Sequence, residues 1–463
     1  MLRRLIGKSS EFGRDKRGNF AVMTGFALIP IVGFLGYSVD YGVALSIKAK
    51  MDLAADAAAL TAITSAQDYY TTHPTQTAAQ ALAGAKAQGE AQAALAFLAN
   101  SGGIPFGATP STTTVVARAG QTITATSTYT VNTPTTFARV MGVNNISVQG
   151  TTTTSLTMPS YIDFYMLLDM SGSMGLPSTP TGTASMMAIS PDLRAQSSAG
   201  CAFACHFPGS QSFDLSRAVT NPRTAPPQIQ LRADAEQNAV TAELNQAKTT
   251  ATLTNQYRVG LYPFIQHMMP LYPLSTDIDT AITKNSTLVY DWLDQGVTYV
   301  APTGTNPTPT AKYMGSGGTH FDNVLPEMNT AVTVTTPHDG SASTNPKPFV
   351  FFVTDGMNDT QTYAPFNGSS ATSIDSTKCD ALKTKGVTVS VLYIPYLTVS
   401  ALVPVDLWSN EVPVTNAAIP SLSGGLQSCA SPGYFYTANS PTDITNAMQA
   451  MFAQAVQSAH ITN

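Results

Sequence analysis

Two carboxylates and three hydroxyls stand in this chain where apolar runs stop. Residues 162–168 form an apolar, strand-like run that leads into Asp169-Met170-Ser171-Gly172-Ser173-Met174. Gly317-Gly318-Thr319 comes much later, and Thr354-Asp355-Gly356 follows a second apolar run at 349–353. Asp169, Ser171, Ser173, Thr319 and Asp355 are all hard oxygen donors, the set that suits Mg²⁺ or another divalent cation such as Mn²⁺ or Ca²⁺. Two carboxylates neutralise such an ion formally and leave a coordination position that an acidic side chain of a partner protein can fill. No nucleophile–base pair, Walker loop, dinucleotide fingerprint or G-x-S-x-G elbow accompanies them. The residues read as a metal-mediated grip, and the chain as a binding protein and not an enzyme.

Donors so far apart in sequence must be gathered by a sheet. The runs at 162–168, 257–264, 349–353 and 387–394 are short, apolar and without strict alternation, the pattern of buried parallel strands. Helical patterns at 231–247, 321–332, 375–385 and 441–459 lie between and after them. Alternating strand and helix predicts a doubly wound, mostly parallel α/β sheet over residues 160–459. Ligands of such sheets bind beyond the carboxyl ends of the strands, where Asp169 and Asp355 fall. Residues 176–230, rich in Ser, Thr, Pro and Gly, interrupt the alternation just after the first motif, and 298–316 form a second such loop. Both flank the expected metal.

The N-terminal part reads differently. Arg3, Arg4, Lys8, Arg14, Lys16 and Arg17 face only Glu11 and Asp15 in the first seventeen residues, so the remainder of a chain of net charge −5 is about −9. That balance argues against a nucleic-acid partner. Residues 18–39 carry no charge and Asp40 follows, which predicts a transmembrane helix over 18–40, long enough for a bilayer core. Basic residues before the span keep 1–17 cytoplasmic and export the rest. Helical spacing continues from Tyr41 through Val43, Ile47, Met51, Ala54 and Ala58, and a second helix is expected at 78–99. Thr-rich segments at 113–117, 122–131 and 146–156 then predict a small β-rich block, with a short helix at 134–142. Residues 41–157 are thus a helical stem and small α+β domain.

Export places four cysteines in an oxidising compartment. Cys379, in the helix at 375–385, is expected to pair with Cys429, in a loop before Tyr434. Cys201 and Cys205 form the second expected pair, inside the 176–230 insertion. Cys201-Ala202-Phe203-Ala204-Cys205-His206 is one residue longer than the C-x-x-C-H haem signal, and that spacing favours a disulfide. His320 follows Thr319 and reads as a satisfied loop histidine.

Asp169-x-Ser171-x-Ser173, Thr319 within Gly-Gly-Thr and Asp355 within Thr-Asp-Gly resemble the metal-ion-dependent adhesion site of von Willebrand factor A domains. The resemblance covers residues 160–459 and all five ligand positions. It implies direct ligation by Ser171 and Ser173, direct or water-mediated ligation by Asp169 and Asp355, and a conformation-dependent role for Thr319. Arg17-Gly18-Asn19-Phe20-Ala21-Val22, the uncharged span and Lys50-Met51-Asp52-Leu53-Ala54-Ala55-Asp56-Ala57-Ala58-Ala59 resemble TadG-like proteins of tight-adherence (Flp) pilus assembly. That likeness implies a single-pass inner-membrane protein with a periplasmic body that binds partners in the pilus assembly machinery. Related minor pilins carry Glu five residues after a processed Gly; here Met23 stands in that place after Gly18, so a permanent anchor is expected. A surface adhesin using the same metal site is the alternative. An accessory subunit recruiting a cytoplasmic ATPase is excluded by the expected topology.

Overall fold

A computed structural model describes residues 17–73, 76, 78–104, 108–189, 200–203, 206–208, 213, 229–304, 308–334, 338–362, 368, 370–398 and 411–460. The basic segment 1–16 and Cys205 lie outside these residues. The chain divides into two compact units, Met1–Met158 and Pro159–Asn463.

The first unit is built on α1, Arg17–Thr72, and α2, Ala78–Ser101. At 56 residues α1 runs for about 84 Å at 1.5 Å per residue. Its first part is the one described helix long and apolar enough to cross a membrane. Phe26, Ile29, Phe34 and Leu35 are exposed there, and of residues 22–43 only Gly36 and Asp40 are buried. Beyond residue 43 the pattern inverts: Ala44, Ile47, Met51, Ala54, Ala58 and Ala62 form a buried stripe of mostly small residues against α2. Small side chains at i, i+3 and i+4 let the two helices approach closely.

A meander of β1, Pro110–Ala119, β2, Thr122–Pro134, and β3, Asn145–Thr157, covers this helix pair. Both pairings are antiparallel, with Ala119 opposite Thr122 and Thr122 opposite Thr157. In β2 the buried residues Ile123, Ala125, Tyr129 and Val131 alternate with threonines, as a sheet with one wet face requires. The Tyr129 hydroxyl donates to Asp52 Oδ1 at 2.6 Å and so ties the sheet to α1. The helix expected at 134–142 is a single 3-10 turn, Ala138–Met141, closed by Gly142 at φ +86°. A left-handed residue there ends the turn, so glycine is favoured.

The second unit is a mixed α/β fold around a six-stranded, mostly parallel sheet. Its strands are β4, Ile162–Asp169; β5, Tyr257–Phe264; β6, Tyr272–Ser275; β7, Lys347–Thr354; β8, Thr388–Tyr393; and β9, Phe435–Thr437. The spatial order is β6-β5-β4-β7-β8-β9, with β6 antiparallel at one edge. After β4 the chain moves to β5 on one side and later returns to β7 on the other. The strand order therefore reverses between β4 and β7, which opens a crevice at their carboxyl ends. Asp169 ends β4, and Asp355 immediately follows β7.

Helices cover both faces. Among the described residues, the helices between β4 and β7 are α3, Pro180–Ile189; α4, Arg232–Thr250; α5, Ile278–Asn285; α6, Leu288–Trp292; and α7, Phe321–Ala331. Beyond β7 lie α8, Thr377–Thr384; α9, Glu411–Cys429; and α10, Pro441–His460. Phe452 of α10 packs on Phe164 with ring centroids 5.2 Å apart, and α10 packs along α4. Phe321 of α7 meets Phe352 edge-on at 5.4 Å. Phe352 points away from the face that carries Phe351, because side chains alternate along a strand.

Two expectations need correction. Cys429 is the last residue of α9 and not part of a loop. It is disulfide-bonded to Cys379 of α8, with Cα atoms 5.2 Å apart. A crosslink of this kind stabilises a fold by about 2–4 kcal/mol. The 176–230 insertion is also more than a polar loop. Met186, Cys201, Ala202 and Phe213 from it join the buried core of the α/β unit. Cys201 is disulfide-bonded.

Candidate metal centre

The first motif is shaped by its own backbone. β4 delivers Asp169 fully buried, Ser171 is extended, and Gly172–Gly175 form a 3-10 turn. The Ser171 amide donates to Asp169 Oδ1 at 3.0 Å, while the Ser171 and Ser173 hydroxyls lie 3.1 Å apart. Two hydroxyls and one carboxylate are thereby held in five consecutive residues.

The neighbouring strand supplies the rest. Leu168 pairs with Val353, so Thr354 and Asp355 lie alongside Asp169. The Thr354 hydroxyl donates to Asp169 Oδ2 at 2.6 Å and accepts from the Gly356 amide at 3.0 Å. Gly356, at φ +86°, makes the tight turn after Asp355. The Asp355 carboxylate is fully buried, and neither oxygen has a hydrogen-bond partner. Ser173 and the Met357 amide lie close enough to favour its charged form without a formed bond.

Thr319 is buried and held through its backbone, its carbonyl accepting from the Asp359 amide at 2.9 Å. Among the described residues no hydrogen bond joins its hydroxyl to the other four. His320 Nε2 bonds to the Gln361 carbonyl at 2.9 Å, a satisfied loop histidine.

Burial is the main electrostatic influence. It raises the Asp169 carboxyl to about 7, and the nearby Asp355 charge adds to the rise. Asp355 is pushed up by burial and pulled back by Arg232, whose Nη1 lies 3.6 Å from Asp355 Oδ2. Arg232 Nη2 donates to the Pro395 carbonyl at 2.7 Å.

Three groups of this centre escape a reading of the sequence. Arg232 and Glu236 lie one turn apart on α4, more than sixty residues from Asp169. Glu236 is fully buried with both oxygens unpartnered, and burial first, then the charges of Asp169 and Asp355, hold its carboxyl well above the usual range. Asp294 is the third: its amide donates to the Met170 carbonyl at 2.9 Å and its Oδ2 accepts from the Gly317 amide at 3.2 Å. It links the first and second motif loops. A charged residue on the inward face of an Ala-rich helix was the available signal for Arg232 and Glu236; Asp294 offers none.

α4 is stapled to the first motif. The Arg232 amide donates to the Leu176 carbonyl at 2.9 Å, Pro177 bridges Leu231 in antiparallel fashion, and the Leu231 amide donates to Asp234 Oδ2 at 2.9 Å. From the insertion, His206 Nε2 bonds to the Gly175 carbonyl at 2.7 Å, two residues past Ser173. That nitrogen is engaged by backbone, which counts against a haem ligand at His206.

Among the described residues no cluster of three or more His, Cys, Asp or Glu side chains has metal-site geometry. The donor set here is different: two carboxylates and hydroxyls, with both oxygens of Asp355 unsatisfied in the interior. Arg232, 3.6 Å away, offsets the burial of that carboxylate by charge without a hydrogen bond, so lone pairs are left and these residues fit a hard divalent ion.

No protein-family model matches the chain, and no curated protein matches it. Solved structures do. The von Willebrand factor domain of the type V pili tip protein Mfa5 from Porphyromonas gingivalis aligns with 66% of this chain and 98% of its own, at 10% identity and a TM-score of 0.34. BatB from Bacteroides thetaiotaomicron, a conserved hypothetical protein, aligns with 64% of this chain and 99% of its own at 12% identity and a TM-score of 0.33. Proximal thread matrix protein 1 from the mussel byssus, with a zinc-occupied MIDAS motif, aligns with 64% of this chain at 13% identity and a TM-score of 0.33. The match spans 48% of that mussel protein, about half its length.

Proposed function

We propose that this chain is a membrane-anchored, metal-dependent protein-binding component of tight-adherence (Flp) pilus assembly, with a von Willebrand factor A-like body. The observation that carries the metal half is Asp355, a buried carboxylate whose oxygens accept no hydrogen bond, beside Ser173 and the Asp169 carboxylate and with Arg232 at 3.6 Å. Ser171 and Ser173 would hold Mg²⁺ or a similar ion directly, Asp169 and Asp355 directly or through water, with Thr319 joining by conformation. A bound ion would supply an open coordination position for an acidic side chain of the partner protein. The resemblance of residues 17–22 and 50–59 to TadG-like proteins supports the pilus assignment. Six basic residues ahead of the uncharged span support a cytoplasmic N-terminus, an inner-membrane anchor and a periplasmic body.

Asp355→Asn is the cleaner test of the site, because Asp169 also accepts from Ser171 and Thr354 and shapes its own loop. Saturating Mg²⁺ should stabilise the wild-type protein by about 2.7 kcal/mol at a hundredfold excess over its dissociation constant. The variant should fold without the cation and lose that gain, read by calorimetry and thermal unfolding. Equal Mg²⁺ responses in the two proteins would sink the assignment. Degradation of the α/β unit by protease added to intact cells would favour the surface adhesin.

A further inference from the structure

The connection between β2 and β3, residues 135–144, lies against the membrane-spanning part of α1. A Cβ placed on Gly36 would come within 2.5 Å of Phe137 Cβ, and one on Gly33 within 2.6 Å of Met141 Sδ. The two glycines are therefore the docking sites for this turn. Gly33 precedes Asp40 by seven residues, so Met141 sits about 10 Å down the helix axis from Asp40, beside the uncharged stretch.

Apolar side chains of the same turn are exposed, the docked Phe137 and Met141 by about half of their surface. Phe137 is 52% exposed, Val140 89%, Met141 51% and Val143 37%. Single exposed apolar residues are ordinary, but four within seven positions form a patch. Its only charge is Arg139, whose long stem lets the guanidinium reach a headgroup layer while the rest lies deeper.

The backbone of the turn is also prepared for a place without water. Asp40 accepts the amides of Thr136, Phe137 and Ala138 at 3.0, 2.9 and 2.7 Å. Those of Val140, Gly142 and Val143 bond to carbonyls inside the turn at 3.0–3.1 Å. Irregular backbone reaches membrane depth only when its polar groups are satisfied by protein.

We propose that residues 137–143 are a second membrane-contacting element, a wedge that lies in the lipid interface beside the point where α1 leaves the bilayer. The occupant of the patch is lipid, because the span against which the turn packs is itself lipid-facing on its exposed sides. This rests on the reading of α1 as an anchor, and the test separates the two.

The described cysteines are disulfide-bonded, so an introduced thiol can carry an environment-sensitive NBD label. Full-length Val140→Cys, Ile29→Cys and Ala119→Cys would be labelled in vesicles of phosphatidylcholine and phosphatidylglycerol. Ile29 lies inside the span. Ala119 is exposed at the β1–β2 hairpin, about 40 Å along the sheet from the wedge. Lipids with a doxyl group on carbon 5 should roughly halve the Val140→Cys signal, and aqueous iodide should leave it unchanged. Ala119→Cys should show the reverse. Iodide quenching at Val140→Cys equal to that at Ala119→Cys would overturn the wedge while Ile29→Cys stayed lipid-quenched. Loss of lipid quenching at Ile29→Cys would instead overturn the anchor. Protection at Val140→Cys from both quenchers, with crosslinked dimers, would assign the patch to a second copy of this chain and overturn the lipid assignment.

Discussion

β4 carries a buried aspartate at each end, and the two ends treat it differently. At the amino end Asp163 receives the Arg258 guanidinium as a fork, Nε to Oδ1 at 2.7 Å and Nη2 to Oδ2 at 2.6 Å. At the carboxyl end Asp169 leans on a serine amide and a threonine hydroxyl, while neighbouring Asp355 has an arginine at 3.6 Å and no bond. A saturated fork is how a fold closes off a buried charge. Asp355 and Glu236 keep carboxylate oxygens without a hydrogen bond, with the Arg232 guanidinium near Asp355 as the one cation close by among the described residues. The same strand thus separates a closed ion pair from a pair of carboxylates whose hydrogen bonding is incomplete.

The largest expected effect tests the carboxyl end through pH. Burial lowers His206 to about 4, below its ordinary 6.5, so the folded protein binds fewer protons than the unfolded chain between those values. Its share of stability is complete above about 6.5 and is lost as pH falls toward 4, a total of about 3 kcal/mol. Urea unfolding of wild type and His206→Gln at pH 7.5 and pH 4 should show the gap between them shrinking by that amount. A gap independent of pH would mean that this ring does not hold Gly175 as a neutral donor.

A smaller effect is expected at the amino end. Arg258→Ala strands the buried Asp163, and because the Arg258 side chain is 36% exposed the cost is discounted to about 2 kcal/mol. Denaturant unfolding measures it; a cost near zero would erase the contrast between the ends.

The smallest effect sharpens the contrast along one helix. Glu236 and Glu243, two turns apart on α4, are both fully buried with unpartnered oxygens, but only Glu236 feels Asp169 and Asp355. Leucine at either position should stabilise the cation-free protein by about 1 kcal/mol. Only Glu236→Leu should alter the stabilisation by Mg²⁺. Equal Mg²⁺ responses in the two variants would place Glu236 outside the centre.

The central strands were legible because a sheet buried on both faces writes its strands as unbroken apolar runs, as in 162–168 and 349–353. β6 and β9, with four and three residues, are too short to carry such a signature. α9 was hidden by Pro413, Pro420 and the Gly424-Gly425 pair, all of which read as loop. Its buried positions Val412, Thr415, Ala418, Leu422, Leu426 and Cys429 nevertheless keep helical spacing. In the site, the five oxygen donors announce themselves as short motifs. Arg232, Glu236 and Asp294 do not, because each acts through a contact made only when distant elements pack.

The neck between Pro177 and Leu231 makes the intervening segment a closed detour. Lengthening a closed loop costs only about 0.6 kcal/mol for each doubling. Length there can therefore change at little thermodynamic cost wherever Met186, Cys201, Ala202 and Phe213, which join the core, are kept. The neck thus lets the intervening stretch change in length while the first motif on one side of it and Arg232 on the other keep their places.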